Sequence, residues 1–189
     1  MKKLIFTIAM AVLSSTALLA QDLISSSGSG GGFGSKTNEV KVNFLNLILL
    51  GSVEVGYEKF LGDDHSLDLQ VHINDRFGFN SQSGDKNYKT NSVQASMNFY
   101  FGDNPNGRFY LFPLAKIRFG EFEEMVDGDM VTTNMNAFIF GAGGGYKWEF
   151  SESFAFGPYA SIARGFSDEV AERFTRVEFN AGFSLGYRF

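Results

Sequence analysis

Two histidines, His65 and His72, are the only imidazoles in this 189-residue chain, and cysteine is absent. A hydrolytic or acyl-transfer site needs a base and a nucleophile within reach of each other. The stretch His65-Ser66-Leu67-Asp68 holds the residue types of such a site. On a strand, however, His65 and Ser66 point to opposite faces. His72 with Ser92 or Ser96 is the remaining base and hydroxyl pairing, and a histidine in a polar interior is more commonly a hydrogen-bonded structural group. Two histidines without thiolates do not furnish a transition-metal set, and Asp127-Gly128-Asp129 lacks the remaining ligands of a calcium loop. The glycines of "GAGGG", 141–145, sit inside a strand pattern and open no helix, so they do not form a dinucleotide fingerprint. The reading is of a chain with no catalytic residue, no cofactor and no metal.

The elements that carry these residues alternate apolar and polar side chains, the signature of strands with one face in an apolar medium. Eight such strands are predicted, at about 39–49, 52–60, 65–73, 91–101, 108–120, 132–149, 153–164 and 177–189. Links after the second, fourth and sixth are short ("LGDDH", "GDNPNG", "FSE"), whereas those after the third, fifth and seventh are long and polar. The first, through Gly51, is tight. Short and long links in alternation are the habit of an outer-membrane barrel, with short turns on the periplasmic side and long loops outside. Tyr57, Phe99, Phe101, Phe109, Trp148, Phe150 and Phe154, with Tyr187 and Phe189, fall beside the short turns or at the chain end. In a closed meander they form an aromatic girdle at one membrane interface. The fold class is therefore all-β, an eight-stranded antiparallel up-and-down transmembrane β-barrel.

The chain begins "MKKLIFTIAMAVLSSTALLAQ", two lysines, a short apolar run and a small-residue site, which reads as a signal peptide over 1–20. Residues 21–38 are Gly/Ser-rich and read as a flexible tether, leaving one domain over 39–189 and an outer-membrane destination. Setting aside Lys2 and Lys3 leaves 14 of the 16 basic residues against 21 acidic ones, a net charge of -7, which disfavours nucleic acid as a partner. Twenty-two Phe and 22 Gly with a slightly negative mean hydropathy fit strands that are half apolar and half polar.

The inward set comprises Lys41, Glu54, Glu58, Asp68, Lys116, Arg118, Lys147, Glu149, Arg176, Glu178 and Arg188. An eight-stranded interior is wide enough only for its own side chains, so these charges are expected to pair as a plug rather than line a pore. The inward glycines of strands 6 to 8 are expected to make room for the long side chains of strand 5. Loop acids, Glu121, Glu123, Glu124, Asp127 and Asp129 in one loop and Asp168, Glu169 and Glu172 in the next, are read as solvated charge.

The leader, the eight alternating strands and the terminal "FSLGYRF" resemble the small eight-stranded outer-membrane barrels of the OmpA/OmpX-like superfamily. "VNFLNLILLGSVEVGYEKFL", 42–61, with Tyr57, Glu58 and Lys59, is similar to the opening hairpin of an uncharacterised outer-membrane barrel family. The resemblance implies that Phe183, Leu185, Tyr187 and Phe189 form a signal read by the barrel assembly machinery, although Ser184 stands where that pattern often has Gly. It also implies a monomer whose partners are outer-membrane lipid, lipopolysaccharide and an unidentified loop ligand. The function expected is non-enzymatic, in envelope structure, adhesion or surface recognition. Transport of a small hydrophobic molecule and lipid A modification stay open as alternatives.

Overall fold

The computed structural model describes residues 36–75, 86–102, 104, 106–151 and 153–189; the leader and most of the tether lie outside them. The elements are β1 (Asn38–Asn43), α1 (Phe44–Leu50), β2 (Val53–Phe60), β3 (His65–Ile73), β4 (Lys86–Phe101), β5 (Gly107–Val126), β6 (Asp129–Asn134), β7 (Ala137–Glu149), β8 (Phe154–Phe166), α2 (Asp168–Arg173) and β9 (Val177–Arg188). β1, β2, β3, β4, β5, β7, β8 and β9 pair antiparallel in that order, and β9 returns to β1. The ring is therefore a closed eight-stranded barrel, and β6 stands outside it, paired with β5 alone. No helix of the described residues is long and apolar enough to cross a membrane.

The pleat sorts the sequence by face. Along β2, Glu54, Glu58 and Phe60 are buried while Val55 is exposed; along β4, Ser92, Gln94, Ser96 and Asn98 are buried while Val93 and Phe99 are exposed. Hydrophilic groups face the lumen, and an apolar coat of Val40, Val71, Leu111, Ile117, Phe140 and Ile162 among others faces outward. This inversion of a soluble core is what a hydrocarbon solvent demands, and closure leaves no unpaired edge within the ring where neighbouring strands overlap.

Three local structures depart from the predicted elements. First, β1 ends at Asn43 rather than continuing to 49. The Asn43 side chain accepts from the N–H groups of Leu45 and Asn46 and so caps α1, which stops at Gly51 in the left-handed conformation (φ 63°). Second, the acidic loop after β5 is not a loop. Asp127 (φ 54°) and Gly128 (φ 94°) form a two-residue turn of the hairpin-favoured type, and β5 folds back on β6 with Val126 opposite Asp129. Third, Ser167 accepts from Val170 N–H and starts α2 within the last long connection. These outer segments share a small core of their own: Tyr88, Phe122, Met135 and Val170, with Phe174 against Phe122.

Candidate functional site

The lumen holds two ionic clusters. At the end where the short turns lie, Glu58 is fully buried and accepts from Lys41 Nζ (3.0 Å), Lys147 Nζ (2.6 Å), Asn98 Nδ2 (2.9 Å), Ser66 and the Tyr100 hydroxyl. Lys41 also reaches Asp68 (2.7 Å), Lys147 reaches Glu39 (3.0 Å), and Arg188 joins Glu39 (2.7 Å) to Glu149 (3.1 Å). Phe60 lies beneath both Lys147 and Arg188, at 5.3 and 5.0 Å from ring centre to cation. Toward the long-loop end, Arg118 grips Glu178 with both terminal nitrogens (2.6 and 2.7 Å) and Asp75 through Nε (3.0 Å), while Lys116 reaches the same two carboxylates (3.2 and 3.3 Å). Burial of a charge is tolerated when partners of this geometry replace its water.

Ten of the eleven residues read as lumen charges thus lie in these clusters or, for Glu54, beside them. Arg176 does not. It sits at the exposed foot of α2 with Nη2 3.4 Å from Asp168 Oδ1, because the turn before Val177 carries its side chain out of the strand alternation. Two acids the alternation reading omitted belong inside: Glu39 on β1, which the same period-two count would have placed with Lys41, and Asp75, just beyond β3, which no strand pattern covers.

The glycine space is filled otherwise than expected. A Cβ on Gly143 would stand 2.4 Å from Phe112 Cζ, and one on Gly145 would stand 2.6 Å from the Tyr110 hydroxyl. Aromatic rings of β5, not its lysine and arginine, occupy the hollow, and they stack with Tyr100 (5.3 Å) into an apolar wedge with Leu114, Ile139 and Ala163. Between wedge and charges remain cavities of about 20 Å³, one lined by Gln70, Gln94, Ser96, Asn180 and Ser184 among others. Each has room for about one water molecule and none for a continuous aqueous channel.

Glu54 is the exception among the acids. Its carboxylate accepts from Asn43 (2.8 Å), Asn46 (2.6 Å) and Tyr159 (2.7 Å), and the cationic side chains leave it alone; its one charge-capable neighbour is His72, whose Nδ1 lies 3.6 Å away. His72 is completely buried, with neither ring nitrogen hydrogen-bonded. It faces Ser92 across the sheet, but the Ser92 hydroxyl donates to Asp75, which withdraws the hydroxyl from any base-and-nucleophile pairing; Ser96 lies four pairs along the ladder, opposite Asp68. His65, at a turn, pairs with exposed Asp64 (2.6 Å). Among the described residues no group of acids and histidines could hold a metal ion. Replacing His72 by leucine should change barrel stability by little more than the fit of the new side chain, about 1.5 kcal/mol or less, since the buried imidazole gives up no hydrogen bond and Glu54 keeps three donors. A loss of about 3 kcal/mol or more in denaturant unfolding would show instead that Glu54 depends on the imidazole.

The aromatic residues Phe99, Phe101, Phe109, Trp148, Phe150 and Phe154 all face outward, and Tyr57 is half-buried with its hydroxyl on Asn38 (2.7 Å). Strand register brings them to one rim: Phe101 opposite Phe109, Phe109 opposite Tyr146, Phe154 opposite Tyr187. Leu185, Tyr187 and Phe189 are exposed on the same coat, with Phe183 half-buried between Phe44 and Phe156.

No protein-family model and no curated protein matches the chain. Solved structures do. The N-terminal β-barrel domain of Pseudomonas aeruginosa OprF superposes with a TM-score of 0.50 at 18% identity, over 82% of this chain and 98% of that one. The fold is that of the eight-stranded outer-membrane barrels. Neisserial surface protein A is similar to the same degree, with a TM-score of 0.50 at 12% identity, covering 86% of this chain and 98% of its own. At such identities the likeness to these barrels concerns the fold alone.

Proposed function

We propose that this chain is an integral outer-membrane barrel, non-enzymatic and monomeric, that serves as a rigid mount for surface recognition. The observation that carries the reading is the pairing of a filled lumen with an ordered outer platform. Ion pairs and aromatic rings occupy the interior, which speaks against a porin. Above it β4, β5 and β6 continue as a three-stranded sheet whose last strand has one unpaired edge, backed by α2 and its own small core. Met125, Val126 and Met130 are exposed at its tip amid Glu124, Asp127 and Asp129. Exposed apolar groups on a rigid edge are a recognition feature rather than a folding one.

Exchanging Glu121–Asn134 for a two-residue Asn-Gly turn tests this. The ring pairings of β5 with β7, which begin at Arg118 opposite Ala137, survive the exchange, so heat-modifiable migration should persist. Cells carrying the shortened protein should lose the adherence conferred by the full chain. Unchanged adherence would remove the platform from the function.

The barrel assembly machinery is the second proposed partner, through the alternating terminal aromatics. The Phe189 side chain is exposed and meets Tyr187 at 6.5 Å, while its backbone pairs with Asn38. Deleting Phe189 should therefore leave refolding into detergent micelles nearly unchanged and sharply reduce the assembled protein in cells. Equal losses in both settings would make the residue structural only.

A further inference from the structure

Above Asn43 the ladder between β1 and β9 is missing from the barrel wall. β1 pairs with β9 from Glu39 opposite Arg188 to Asn43 opposite Ser184, and there it stops. β9 runs on for seven more residues to Val177, roughly 23 Å of strand. That stretch is at membrane depth, for Phe179, Val177 and the neighbouring Ile162 continue the exposed apolar coat. An open strand edge does not persist in hydrocarbon, because its N–H and C=O groups would find no partner there.

α1 follows Asn43 and covers the part of this edge nearest to it. Seven residues of helix span about 10 Å, and contact between α1 and the wall runs through side chains rather than a ladder. Asn43 Oδ1 accepts from Phe183 N–H (3.2 Å), Phe44 packs on Phe183 (5.3 Å), and Asn46 Nδ2 reaches Asn180 (3.0 Å) and Glu54 (2.6 Å). The opposite side of the helix, Leu47, Ile48 and Leu49, is exposed, Ile48 at 73%. Behind it lies the polar cavity bounded by Asn43, Glu54, Tyr159, Asn180 and Ser184. A strand paired on both sides leaves the wall only by breaking a ladder; α1 leaves by releasing the contacts of one asparagine, one ring and one capping side chain.

We propose that α1 is a lateral door through which a membrane-dissolved molecule with a small polar head reaches the lumen cavity from the outer leaflet. Apolar residues on the outer surface of the door suit the chain of such a molecule, which stays in lipid. The amide, hydroxyl and carboxylate groups behind it suit the head, whose size is bounded by the single-water cavity. Glu54, the acid without a lysine or arginine partner, anchors the latch through Asn46. This inference stands apart from surface recognition, since it concerns a different part of the molecule.

The absence of native cysteine permits a direct test. Ser161 lines the cavity and sits opposite Asn180, the residue that α1 holds. Ser161→Cys in liposomes would be exposed to a lipid-soluble N-alkylmaleimide or to a membrane-impermeant sulfonated maleimide. The lipid-soluble reagent should label it and the sulfonated one should not. Asn46→Ala, which removes a hydrogen bond to a charged group, should speed lipid-phase labelling about tenfold or more. A Phe44→Cys, Phe183→Cys disulfide formed beforehand should suppress it, and all variants are scored after heat-modifiable migration shows a folded barrel. Faster labelling by the sulfonated reagent, no labelling by either, or indifference to both Asn46→Ala and the disulfide would overturn the door.

Discussion

Replacing Glu58 by leucine is expected to cost about 3–5 kcal/mol of barrel stability, the scale for breaking a buried ion pair from one side. Glu58 is where five donors from β1, β3, β4 and β7 converge, and its removal strands groups that have no water to turn to. Lys41 would retain Asp68 and Lys147 would retain Glu39, but each would lose one of its two carboxylates, and Ser66, Asn98 and Tyr100 would lose their shared acceptor. Glu58→Gln keeps the shape and loses the charge, so it should be nearly as damaging. A quadruple replacement, with Lys41 and Lys147 made methionine and Asp68 made leucine as well, should recover part of the loss, because it leaves no buried charge of this cluster without a partner, Glu39 keeping Arg188, and a well-packed apolar set often equals a buried ion cluster in stability. Trp148, the single tryptophan, reports unfolding in urea by fluorescence. A midpoint shifted by less than 1 kcal/mol in Glu58→Leu would show that the network contributes little to holding the strands together.

The second large effect lies on the other side of the same strand wall. Val93→Arg should destabilise the barrel in a bilayer by about 2–4 kcal/mol, the depth-dependent cost of a basic side chain on the lipid face of a barrel. Val93 is exposed on β4 between Val71 and Ile117 of the adjacent strands, amid other apolar side chains. On a water-soluble protein an arginine at an exposed valine is close to neutral. Equilibrium unfolding from liposomes separates the two cases, and a neutral result would mean that this face meets water.

Much of this architecture was legible because alternation of period two leaves a clear trace. The lumen acids and bases on β2, β3, β5, β7 and β9 fall where counting places them, and the girdle residues are next to short links that need no structure to see. What escaped was of a different physical kind. "FLNLILL" is apolar at every position but Asn46, so it fits a buried strand as well as a helix. The deciding signals were Asn43 before it and Gly51 after it, a cap at each end. Asp127-Gly128 was weighed as a metal loop, whereas the same two residues between Met125-Val126 and Met130-Val131 are a hairpin turn. Asp75 lies past the end of β3 and is drawn inward by Arg118 and Lys116, contacts between distant segments that no local pattern encodes. The aromatic wedge was hidden for a similar reason, since glycine marks a hollow but does not say which neighbour fills it.

The orientation of the wall bears the whole weight, and accessibility along β4 measures it most directly. Single spin-labelled cysteines from Ser92 to Asn98, in a chain with none of its own, can be relaxed by oxygen dissolved in lipid or by a water-soluble nickel chelate. Labels at 93, 95 and 97 should collide with oxygen, and those at 92, 94, 96 and 98 should be shielded from it. The opposite phase, or seven positions alike, would mean that the apolar face of these strands does not meet hydrocarbon.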